Sequence, residues 1–192
     1  MKTHIGISAA AALVFATSAF AAGPATNEVT QRDVNQQNRI EQGLQSGQLS
    51  TKEAGQLEHQ EARIDRTEAR DLKDGKLSAS EQAHINRMQN KASADIARDK
   101  HNAVTGNPNS ASSQRMQADV QRNANQETRI AQGAKSGTLT NREVGSLQRG
   151  QAHVDRKEAR AARNGHVGAG EQASVQKSEN RQSAKIYRKK HN

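Results

Sequence analysis

The 192-residue sequence contains no cysteine and no tryptophan, and only three aromatic side chains, Phe15, Phe20 and Tyr187. Without cysteine it has none of the disulfides that usually brace small extracytoplasmic domains. So few aromatics leave almost nothing for the base stacking on which single-strand nucleic-acid binding relies, and nucleic acid is not an expected partner. Large aliphatic residues are also scarce, whereas Gln, Asn, Arg and Ala abound. A chain of this kind has little apolar surface to set against the entropy of ordering it, and marginal stability is expected.

Only one long hydrophobic run occurs, Ile5 through Phe20, preceded by Lys2 and closed by the small-x-small triplet Ala19-Phe20-Ala21. This is the pattern of a secretory signal peptide, residues 1–21, with cleavage expected after Ala21. A periplasmic or secreted location follows as an expectation. No later stretch is long and apolar enough to span a bilayer, so no transmembrane segment is expected once the leader is gone.

What the sequence does have is repetition. The octet Ser46-Gly47-Gln48-Leu49-Ser50-Thr51-Lys52-Glu53 recurs at Asp74–Glu81, at Ser136–Glu143 and, in degraded form, at Asn164–Glu171. Gly47, Gly75, Gly137 and Gly165 suit the left-handed position just past a helix end. Ser50, Ser78 and Thr140 suit the N-cap of the next helix, and Glu53, Glu81, Glu143 and Glu171 suit the third position of a capping box. On a larger scale, residues 31–102 align without gaps on residues 121–192 at an offset of 90, with about 33 identities in 72 positions. The expected fold is all-α: two tandem units of three antiparallel helices joined by a flexible linker. The helices should cover roughly 31–46, 50–74 and 78–101, then the same positions plus 90. Residues 22–30 are expected to be loose, and residues 103–120, opening on a Gly, Asn and Ser-rich run, should form the linker.

The units differ. Leu44, Leu72 and Met88 become Ala134, Ala162 and Ser178, and the cap Ser78 becomes Gly168. Residues 31–102 carry twelve Lys and Arg against twelve Asp and Glu, whereas residues 121–192 carry fifteen against six. The basic excess crowds toward the C-terminus, where Lys185, Arg188, Lys189 and Lys190 are the candidate anion-binding residues. Anionic envelope components or acidic proteins are the expected partners. Self-association is left open.

Candidate chemistry is thin. The octet is similar to the second half of an EF-hand loop, with Gly47, Leu49, Ser50 and Glu53 in the matching order. The earlier ligand seats, however, hold Gln42, Leu44 and Ser46, or Arg70, Leu72 and Asp74, which does not suit a calcium loop. Capping is the expected role. Of the histidines after the leader, only His101 and His191 correspond across the repeat, each between Lys and Asn, as befits a helix C-terminus. Low-affinity divalent-metal binding through Asp74, Glu81, His101 and His191 is the alternative function. Asp65, Arg66, Glu68 and Arg70 recur as Asp155, Arg156, Glu158 and Arg160, with the acids inside the apolar arc of the middle helix. An interhelical ion-pair network with the arginines is expected of them. No nucleophile, phosphate loop or recurrent His accompanies them, so a catalytic role and a cofactor are not expected.

One pattern covers nearly all of each unit: Gly47-x-Leu49-Ser50-x-x-Glu53, Ile64-Asp65-Arg66, Asp74-Gly75-x-Leu77, Gln89-Asn90-x-x-Ser93-x-x-Ile96 and Lys100-His101-Asn102. It resembles a group of small exported helical-repeat proteins of Gram-negative bacteria to which no activity is attached. The resemblance implies a helical fold and an exported address. The expectation for the chain is therefore an exported, non-enzymatic helical interaction or envelope-stress protein.

Overall fold

The computed structural model describes residues 22–192. The expected leader, with its cleavage position after Ala21, lies outside the described residues. These form six α-helices: α1 (Pro24–Ser46), α2 (Thr51–Asp71), α3 (Ala79–Lys100), α4 (Ala111–Ser136), α5 (Asn141–Ala161) and α6 (Ala169–Lys190). A single 3-10 turn, Leu72–Asp74, follows α2. Among the described residues there is no strand, and no helix is long and apolar enough to cross a membrane.

The turns follow from local chemistry. Gly47, Gly75, Gly137 and Gly165 take φ of 74°, 90°, 75° and 83° and are the only positive-φ residues described. Ser50, Ser78 and Thr140 each accept from the backbone N–H three residues on, and Glu53, Glu81 and Glu143 reach back to the cap's own N–H. At the fourth turn the cap is Gly168. It has no side chain to offer, and only the return bond from its N–H to Glu171 remains, at 2.8 Å.

Two segments expected to be loose are helical. Helix α1 begins at Pro24 rather than near residue 31, because Pro at the first helical position has no orphan N–H to satisfy. Its first turns are buried through Thr26, Val29 and Thr30. Likewise α4 begins at Ala111, inside the expected linker of residues 103–120, with Ser110 as its cap and Met116 and Val120 fully buried.

The repeats pack as one body. The most extensive contacts join α2 to α5 and α1 to α4, across the duplication, while α3 covers α1 and α2 and α6 covers α4 and α5. A methyl group added at Gly55 would lie 2.5 Å from Ala162 Cβ, and one added at Gly145 would lie 2.8 Å from Leu72 Cβ. The start of each of these helices therefore meets the end of the other, and α2 and α5 run antiparallel. The segments before each repeat are exchanged in the same sense. Ala22 N–H donates to Leu139 O at 3.3 Å, and Gly106 N–H donates to Gly47 O at 2.8 Å, so the connection between the repeats is tied to the first turn. The outer helices dock by matching bonds: Gln36 Nε2 to Gln89 O at 2.6 Å, and Gln126 Nε2 to Glu179 O at 3.1 Å.

This arrangement places one of the large-to-small changes of the second repeat, Leu72 to Ala162, at the crossing. Ala162 is small where Gly55 faces it, and Leu72 is large where Gly145 makes room, so the two repeats share one interface. Gly55→Ala should therefore destabilise by about 1–2 kcal/mol, since the new methyl meets another Cβ held by backbone. Gly170→Ala, which meets nothing within 4 Å, should stabilise by about 0.5 kcal/mol. Denaturant melts of the two variants check the pair, and a harmless Gly55→Ala would contradict the close crossing.

Candidate metal centre

The interior is layered along its inner helices. On α2, Ala54 and Leu57 precede Glu58, Glu61, Asp65 and Glu68, and Leu72 follows; all are buried. On α5, Val144 and Leu147 precede Gln148, Gln151, Asp155 and Glu158, and Ala161 and Ala162 follow, again all buried. The polar residues recur every three or four positions, so they share one helix face and point together into the space between α2 and α5. Helix α1 adds Asp33 and Gln37, and α4 adds Asn123 and Glu127, each at most 2 % exposed.

These side chains form two groups related by the duplication. In the first, Asp65 and Glu68 on α2 meet Asp33 on α1, with one carboxylate oxygen from each within 4.8 Å of the others. In the second, Asp155 and Glu158 on α5 meet Glu58 on α2 within the same limit. Gln148 Nε2 stands among Asp33, Glu68 and Glu127 at 3.3, 3.2 and 3.2 Å. Its equivalent in the second group is Glu58, which accepts from Gln37 Nε2 at 3.1 Å. Asn123, the equivalent of Asp33, donates to Asp155 Oδ1 at 2.6 Å. Where one repeat has an acid, the other often has its amide: Asp33 and Asn123, Glu58 and Gln148, Glu61 and Gln151, Glu127 and Gln37.

No basic side chain accompanies them. No Lys, Arg or His is among the buried residues described. Arg66, Arg70, Arg156 and Arg160 point outward, so the ion-pair network expected for Asp65 and Glu68 is not formed. The helix period decides this: an arginine one or two positions from a buried acid must lie on another face. Amide donors do not make up the deficit. Both oxygens of Glu61 and of Glu158, and single oxygens of Glu58, Asp65 and Glu68, are buried without any hydrogen-bond partner.

Burial, with mutual repulsion among the acids, pushes their pKa values up. Asp33 is raised to about 7, Glu58 to about 8 and Asp155 to about 7, each chiefly through loss of solvent. Glu61, Asp65, Glu68, Glu127 and Glu158 are raised well above the ordinary carboxylate range by the same burial, then by neighbouring carboxylates. Such a chamber is stable in two ways: with protons on most of its acids, or with cations among them. Calcium–oxygen contacts run at about 2.3–2.6 Å, so an ion centred in either triad would lie close to all three oxygens.

The residues singled out from sequence alone lie elsewhere. Asp74 Oδ1 accepts from Lys76 N–H at 2.9 Å, and Glu81 Oε2 is engaged in its capping box. His101 and His191 are exposed, with Nδ1 against the carbonyls of Ala97 and Tyr187 at 2.7 Å. The structure does not bring these four together, and none belongs to either triad. Of the C-terminal cations, Lys185 Nζ donates to Ser146 O and Lys189 pairs with Glu143 at 3.7 Å, while Arg188 is exposed and Lys190 half-buried. Glu58, Glu61, Asp33 and Glu127 are not legible as a site until α1, α2, α4 and α5 are placed together. Comparison with family models, with curated proteins and with solved structures finds no match.

Proposed function

We propose that this protein is an exported binder of hard divalent cations, holding one ion in each carboxylate triad between α2 and α5. The observation that carries the reading is the pair of buried acid triads, related by the duplication at Asp65 and Asp155 and at Glu68 and Glu158, with unpartnered oxygens and no buried base among the described residues. The donors are all oxygen, from carboxylates and amides, which suits Ca²⁺ or Mn²⁺ and disfavours soft ions that seek thiolate or imidazole. Asp33, Asp65, Glu68 and Glu127 with Gln148 would hold the first ion; Glu58, Asp155 and Glu158 with Asn123 and Gln37 would hold the second. The first set has the larger negative charge and should bind more tightly. The bundle is then a scaffold that keeps acids apart from water and bases until a cation enters. No step of bond making is assigned to it.

Calorimetric titration of the chelator-treated protein with Ca²⁺, Mn²⁺, Mg²⁺ and Zn²⁺ at neutral pH tests this. Two ions per chain in unequal steps are expected for Ca²⁺ or Mn²⁺, with release of protons. Absence of binding by all four at millimolar concentration would sink the reading, and tight binding of Zn²⁺ alone would refute the hard-ion assignment.

A further inference from the structure

Directly outside the carboxylate chamber, the outer face of the same two helices is basic. Lys52, His59 and Arg63 of α2 and Arg156, Arg160 and Arg163 near the end of α5 line a groove of about 570 Å³ that runs between the helices. Arg66, Arg70 and Lys73 with Arg149 line a second groove of about 430 Å³, built from the equivalent surfaces of the opposite repeats. Gly55 belongs to the first lining, and its lack of a side chain is what lets the two helices, and so their cations, come this close.

Within these linings no acid appears, and only Arg70 among their cations makes an ion pair, with Asp71 at 2.7 Å. Arg156 is held below its ordinary pKa by burial and by Arg66 and Arg160, which places like charges of both grooves side by side. From Lys52 to Lys73 the surface spans about 30 Å at 1.5 Å per residue, with about one Lys or Arg per 3.5 Å when both helices are counted.

We propose that the α2–α5 groove binds a linear phosphate polyanion, laid along the helices and gripped by guanidinium forks from both repeats. The charge density fits a chain with an anionic group at every backbone unit, such as linear polyphosphate, better than a polysaccharide whose charges lie a sugar ring or more apart. Guanidinium matches phosphate oxygens in pairs. A membrane surface fits less well, because the exposed large hydrophobic residues among those described are Val104 and Tyr187, neither of them on α2 or α5. Single-stranded nucleic acid lacks a stacking partner here: the one aromatic among the described residues, Tyr187, is on α6. This site does not depend on the chamber within.

Binding of fluorescently labelled linear polyphosphate to the full chain, at fixed salt, tests it. Arg156→Gln/Arg160→Gln/Arg163→Gln should weaken binding at least tenfold, and so should Arg63→Gln/Arg66→Gln/Arg70→Gln. Lys185→Gln/Arg188→Gln/Lys190→Gln removes the same charge from α6 and should change it less than threefold. Circular dichroism identifies any variant that fails to fold, and having one triple on each helix keeps the test decisive. Equal loss in all three would show attraction to net charge alone and overturn the groove. Tighter binding of heparin or of single-stranded DNA than of polyphosphate at equal charge concentration would overturn the phosphate assignment.

Discussion

Freed of divalent cations, the protein should lose stability as pH rises from about 5 to about 8, a range in which many proteins hold theirs. The sign comes from the chamber. Asp33 and Asp155 begin from 3.8 and Glu58 from 4.5, and in the fold they are raised to about 7, 7 and 8. A raised pKa means that the folded state holds protons that the unfolded chain has released. Its contribution is complete below about pH 4 and is lost as pH climbs through about 7–8. Asp119 on α4 and Glu179 on α6 are raised to about 7 and 8 and push in the same direction. The cations nearest these groups are peripheral: Arg32 beside Asp33, Arg156 beside Asp155 and Arg122 beside Glu179.

One pKa unit is worth about 1.4 kcal/mol, so release of these protons amounts to a large part of the stability of an ordinary domain. Because the acids share protons, a smaller fall, about 5 kcal/mol, is expected. At about 2–4 °C per kcal/mol that lowers Tm by roughly 10–20 °C between the two pH values. Saturating Ca²⁺ or Mn²⁺ should return most of this at pH 8 and little at pH 5, where protons compete for the same oxygens. Thermal melts in chelator and in each cation, across pH, measure both limbs. A Tm that rises with pH in chelator would show that the acids are ionised and satisfied without any ion.

Much of the helical grammar could be read from the chain. Gly47 and Gly75 with Ser50 and Ser78 encode turn and cap within eight residues, and tertiary context is not needed to interpret them. The relation of the repeats could not be read in this way. Asp33, Glu127 and Asp65 are far apart in sequence, and their meeting depends on α1 and α4 lying across α2 and α5. Leu72 opposite Gly145 and Ala162 opposite Gly55 register that crossing. Within one unit, however, the substitutions resemble mere decay of a core. The site did leave one trace. Glu58, Glu61, Asp65 and Glu68 keep the three-and-four spacing of Leu57 and Ile64, so the acids follow the buried face rather than the wet one. An acid stripe on an apolar arc suggests arginine partners while only its own helix is considered; the partners here are other acids.

Converting one triad to amides should stabilise the cation-free protein and remove one ion. Asp65→Asn/Glu68→Gln conserves volume and shape, and the repeat itself makes this exchange at Asp33 and Asn123, Glu58 and Gln148, Glu61 and Gln151, and Glu127 and Gln37. Asp65 and Asp155 lie against each other across the α2–α5 crossing, and Asp65 feels Asp155, Glu127, Glu68 and Asp33 as like charges. Replacing two such acids relieves desolvation and repulsion together. Asp65 and Glu68 each bury an oxygen without a partner, so at pH 8 in chelator the double variant should gain about 2–4 kcal/mol, or roughly 5–15 °C in Tm. With Ca²⁺ or Mn²⁺ most of this advantage should disappear. Wild type gains from two ions, about 2.7 kcal/mol for each held at a hundredfold excess over its Kd, whereas the variant gains from one. Asp155→Asn/Glu158→Gln should behave in the same way but remove the weaker step of the titration, leaving the tighter one in place. Denaturant melts paired with calorimetry read stability and stoichiometry on the same samples. If either double variant is less stable than wild type in chelator at pH 8, the buried acids serve as structural hydrogen-bonding groups, and the chamber has no claim to a cation.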